Sequence, residues 1–62
     1  MSYIIVCNIF DQIFQSELDD LDDVKRFVKG NSCTWAIVLD KATGNVRIQY
    51  QKKTFMFFGG KL

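Results

Sequence analysis

Four stretches of this chain carry residue types that can do chemistry. They are two cysteines, an acidic run, a Gly-Gly pair and a basic-aromatic segment. Cys7 and Cys33 are the only cysteines among 62 residues, and histidine is absent. Two thiols without other soft ligands do not complete a four-coordinate zinc shell within one subunit. One disulfide is allowed by arithmetic, but both cysteines sit in apolar, strand-like surroundings. Met1-Ser2-Tyr3 also lacks the charged start of a secretion signal. The reading is a pair of reduced core thiols in a cytoplasmic protein.

The acidic run ELDDLDD, from Glu17 to Asp23, resembles a metal or acid-base cluster at first sight. A calcium loop needs oxygen ligands at alternate positions and a glycine at the sharp turn, and neither is present. Carboxylates adjacent in sequence also point in different directions on a helix. The run reads instead as a helix start, with acids near the positive end of the dipole and Lys25, Arg26 and Lys29 near the other end. Ser16 with Asp19, or Asp20 with Asp23, are placed to cap it.

Gly59-Gly60 invites comparison with chains activated at a terminal Gly-Gly carboxylate. Lys61-Leu62 follow the pair, so it is read as a plain ending. Without histidine the commonest general base is missing. No Ser or Cys nucleophile has an evident partner, and no glycine-rich phosphate loop follows a strand. No catalytic residue, metal ligand or cofactor is assigned, and the chain is expected not to be an enzyme.

These groups must be positioned by a small scaffold. The length allows one compact domain over residues 1–62. A core of that size rarely supplies more than roughly 3–5 kcal/mol without a staple. With disulfide and metal set aside, a second copy of the chain becomes the leading source of extra stability. Residues 3–10, YIIVCNIF, read as a strand apolar on both faces. Residues 11–15 read as a connection whose Ile13 and Phe14 pack down. Leu18, Leu21, Val24, Phe27 and Val28 form a helical stripe, stopped at Gly30-Asn31. CTWAIVL, VRIQYQ and TFMFF then read as three antiparallel strands, turned at DKATGN and at Lys52-Lys53. The expected fold is α+β in the order β-α-β-β-β, with one helix on one face of a mainly antiparallel four-stranded sheet. The first strand is expected at an edge.

Placing Leu39 opposite Val46 gives an expected partition of the faces. Trp35, Ile37 and Leu39 would lie under the helix with Val46, Ile48, Tyr50, Phe55 and Phe57. Val38, Arg47, Gln49, Gln51, Met56 and Phe58 would share the open face, with Ile4 and Val6 beside them. An uncovered half-apolar face calls for a protein partner or a second copy. These six residues are therefore the candidate partner-binding set.

Charge supports that ranking. The first half of the chain is acidic and the second basic, with a formal net charge of only +1. A nucleic-acid-binding protein using the basic half is the alternative, through Lys53 and the aromatics that follow. The segment lacks the glycines of the RNA-recognition motif. No apolar stretch is long enough to cross a membrane as a helix. The expected function is a small non-enzymatic binding module, a regulator or inhibitor of the phage- or mobile-element type. It would work in the cytoplasm, that of the host if phage-encoded.

Overall fold

Residues 2–58 are described by the structure, a computed structural model. The β-branched run at the start forms β1, Tyr3–Ile9. Phe10 and Asp11 take positive φ, 51° and 63°, and reverse the chain in two residues. β2, Gln12–Leu18, returns antiparallel along β1, with Ile9 opposite Gln12 and Tyr3 opposite Leu18. A second hairpin repeats this device. Lys52 and Lys53, with φ of 53° and 63°, join β4, Val46–Gln51, to β5, Thr54–Phe57. Paired positive φ is the primed turn geometry that matches the twist of antiparallel strands. Here it is built without glycine.

Between the hairpins lie α1, Asp22–Asn31, and β3, Trp35–Asp40. The sheet order is β2-β1-β3-β4-β5, and all four pairings are antiparallel. The α+β class holds, with five strands in place of the expected four. The extra strand is QIFQSEL, expected as a connection followed by the start of the helix. β1 consequently has two neighbours and is not an edge. Its apolarity on both faces suits that inner position.

Helix α1 starts later than its apolar stripe suggests, because Leu18 belongs to β2. Asp20 closes the first turn: its Oδ1 accepts from the Asp22 N–H at 3.0 Å. Of the expected caps, Ser16 lies within β2 and makes none. Asp22 and Asp23 sit in the first turn and Lys29 in the last, complementing the dipole. The left-handed stop falls on Ser32, φ 54°, and not on Gly30-Asn31, which remain helical. The Asn31 amide donates to the Phe27 carbonyl at 2.8 Å.

The core lies between α1 and the middle of the sheet. Val24 and Val28 from the helix join Tyr3, Ile5 and Cys7 of β1, Ala36 and Val38 of β3, Ile48 of β4 and Cys33. A helix about 10 Å wide covers two or three strands spaced ~4.8 Å apart. The outer strands therefore escape it. Phe14 on β2 and Phe57 on β5 occupy helix-side positions yet stay exposed.

A bulge fixes which residues face the helix. Leu39 does lie opposite Val46, as expected, but the next pair is Val38 with Ile48. Arg47 is the extra residue. The slip puts Ile48 and Tyr50 on the same face as Val38 and Ala36. The expected partition is thereby reversed for β3. Val38 is fully buried, and Trp35, Ile37 and Leu39 turn to the helix-free side.

Candidate protein-binding face

The helix-free face can be read row by row from the pairings. The middle row runs Gln15–Val6–Ile37–Gln49–Met56. To one side lie Glu17–Ile4–Leu39–Val46, and to the other Ile13–Asn8–Trp35–Gln51–Thr54. Phe58 adjoins the second row, its N–H donating to the Arg47 carbonyl at 2.8 Å. Ile4, Val6, Ile37, Leu39 and Trp35 thus form an apolar centre. Amides rim it on both flanks, and Glu17 and Asn8 lie at the ends.

The sequence fits this face strand by strand. β1 is apolar on both sides, so it supplies Ile4 and Val6 here while Ile5 and Cys7 stay under the helix. β3 alternates large outer residues with small inner ones, Trp35 against Ala36. β4 presents Gln49 and Gln51, whose amides tolerate either water or a partner. A shallow groove of about 180 Å³ runs between β3 and β4, lined on this side by Trp35, Ile37, Gln49 and Gln51. Met56 is 51% exposed, and Val46 and Phe58 are each 39% exposed.

Of the six candidate partner-binding residues, Gln49, Gln51, Met56 and Phe58 come together on this face. Val38 and Arg47 do not. Val38 belongs to the core, because the bulge shifts the register behind it. Arg47 is turned to the helix side by the same bulge. Its Nη1 lies 3.5 Å from Asp40 Oδ2, and its Cζ lies 5.9 Å from the Tyr3 ring centroid. The guanidinium therefore ties the bulge to the sheet margin through a half-buried ion pair and a ring contact. The alternation alone places Trp35, Ile37, Leu39 and Val46 in the core, whereas the structure sets all four on the helix-free side. Only the one-residue slip in β4 reveals them as surface.

Charge at the face is sparse. Glu17 is held by Lys41 Nζ at 2.9 Å. Lys52 and Lys53 occupy the turn at one end. Arg26 pairs with Asp23 on the helix, away from the sheet.

The cysteines are buried and unbonded to each other. Burial pushes the Cys33 thiol up to about 11, and the neighbouring Cys7 sulfur adds to the shift. Such a thiol is a poor nucleophile near neutral pH. Among the described residues no group of three or more Cys, Asp or Glu is placed to hold a metal ion. No described helix is long and apolar enough to cross a membrane. Gly59-Gly60, with Lys61 and Leu62, lie outside the described residues. The chain matches no known protein family, no curated protein and no solved structure.

Proposed function

We propose that this chain is a non-enzymatic protein-binding module whose contact surface is the helix-free face of the sheet. The observation that carries the reading is the apolar centre of Ile4, Val6, Trp35, Ile37 and Leu39 inside a rim of Gln15, Gln49 and Gln51. Apolar centres with polar rims are the anatomy of protein–protein contacts, and tryptophan and methionine are enriched at them. A small regulator or inhibitor of a larger protein, of the phage or mobile-element type, is the role that suits this size and surface.

The alternative, nucleic-acid binding, finds less support at this face. Arg47 is engaged by Asp40 and Tyr3, and Lys41 is engaged by Glu17. Phosphate contacts dominate nucleic-acid affinity, so a face without free arginine suits it poorly.

A photocrosslinking amino acid at Gln49 tests the proposal, with the same group at Lys25 on the helix as control. The expected result is a discrete protein adduct from Gln49 only, lost when Ile37→Asp is added. Equal labelling from both positions refutes the assignment, and so does tight, salt-sensitive binding to an oligonucleotide that Ile37→Asp leaves intact.

A further inference from the structure

Among the described residues, the β2 margin of the sheet carries unpaired backbone whose direction follows from the hydrogen bonds of β1. The Asn8 and Ser2 carbonyls accept from Thr34 and Lys41, at 2.9 and 3.1 Å, on the β3 side. Even-numbered residues of β1 therefore point their backbone groups at β3, and odd-numbered ones at β2. Those odd residues pair with Gln12, Phe14, Ser16 and Leu18. Ile13, Gln15 and Glu17 are left with N–H and C=O directed outward. The edge is seven residues long against four for β5. Nothing blunts it: proline is absent from the chain, β2 holds no lysine, and its one charge, Glu17, is already paired with Lys41. Natural edges of this length are usually protected by such residues. Next to this backbone, Ile13 is 69% and Phe14 45% exposed.

We infer that β2 pairs antiparallel with β2 of a second copy of this chain, about a two-fold axis at Phe14. This rests on the binding-module reading and names one partner for it. In that register Ile13 and Gln15 of the two copies exchange hydrogen bonds through their outward groups. Phe14 meets Phe14 at the intervening non-hydrogen-bonded position, where cross-strand side chains are closest. Both rings lie on the helix side, beyond the reach of α1, so each covers what the other copy leaves exposed. The alternative axis at Gln15 sets Phe14 against Ser16 and Ile13 against Glu17, which is poorer in complementary contacts. Asp11 then approaches Glu17 of the other copy, and Lys41 offsets that repulsion. The product is one ten-stranded sheet, five strands from each copy, with both helices on the same side. The two helix-free faces merge into one surface.

Light scattering on the full chain should give twice the 7.2 kDa mass of one copy. Gln15→Pro removes an outward N–H without touching the ladder to β1, and should return the mass to one copy with the circular dichroism spectrum retained. Independently, Phe14→Cys made together with Cys7→Ala, which removes the thiol facing it from β1 of the same copy, should form a covalent dimer on mild oxidation with diamide, since across the proposed interface its Cα partner is its own symmetry mate. Gln15→Cys should not. A single-copy mass for the unmodified chain overturns the inference while leaving the helix-free face to a foreign partner. A dimer that is dissolved by Ile37→Asp but not by Gln15→Pro overturns it in favour of face-to-face packing. Covalent dimer from Gln15→Cys in place of Phe14→Cys overturns the register.

Discussion

Val6 and Val38 provide a matched test of the bulge. They are the same residue on adjacent strands, but Val38 is fully buried beneath the helix and Val6 lies half-buried on the other face. Threonine has nearly the shape of valine, so the substitution leaves no cavity and isolates the cost of a hydroxyl. At Val38 that hydroxyl is taken from water into the core, between Ile5 and Ile48 of the adjacent strands and in the same cluster as Val24 and Val28. The expected penalty is about 1–3 kcal/mol. At Val6 the hydroxyl can still reach solvent, and a change within about 0.5 kcal/mol is expected. For a domain whose net stability is roughly 3–5 kcal/mol, Val38→Thr removes a large part of the whole. Urea unfolding followed by Trp35 fluorescence reads the difference. With a slope near 1 kcal/mol/M, Val38→Thr should lower the midpoint by about 2 M and Val6→Thr by less than about 0.5 M. The measurement belongs at concentrations where the mass is that of one copy, since a partner could bury Val6. Equal shifts, or a larger one at Val6, would refute the assignment of faces and with it the binding surface.

Two further outcomes follow from backbone strain and burial. Lys53→Gly relieves a left-handed residue costing about 1–2 kcal/mol, against about 0.5–1 kcal/mol of extra chain entropy. A net gain of about 0.5–1 kcal/mol should raise Tm by several degrees, and a lowered Tm would contradict the positive φ at Lys53. Cys33 should make stability fall in alkali. Its thiol is held neutral in the folded chain up to about 11, against an ordinary value of 9.0, so only the unfolded chain ionises in between. The folded state then holds the extra proton, and stability is complete below pH 9. It declines between about 9 and 11, by at most about 1.4 kcal/mol per pH unit. Cys33→Ala should flatten that decline relative to the native chain. An identical slope in both would show that Cys33 is not the group responsible.

Local pattern made much of the architecture legible. The helix was visible in Val24, Phe27 and Val28, and the hairpin at Lys52-Lys53 in the alternation on either side of it. What escaped was β2. Its turn, Phe10-Asp11, lacks the glycine or asparagine that normally marks positive φ, and QIFQSEL sets Ile13 and Phe14 side by side without a clean period of two. Four of the six candidate contact residues lie on the face, because the two-residue turn at Lys52-Lys53 sets the β4–β5 register that the alternation implies. Val38 and Arg47 failed for a single reason, the residue inserted opposite Val38 and Leu39.

The sequence by itself determined where β1, the core of the helix and the three C-terminal strands form, since short-range periodicity and capping chemistry act within a few residues. It also determined that more apolar surface exists than one helix can cover. Only the tertiary structure decided which surface that is. Side chains alternate with a period of two, so one bulge at Arg47 exchanges inside for outside along β3. Small Ala36 and Val38 pack beneath the helix, and Trp35 and Ile37 are left facing outward.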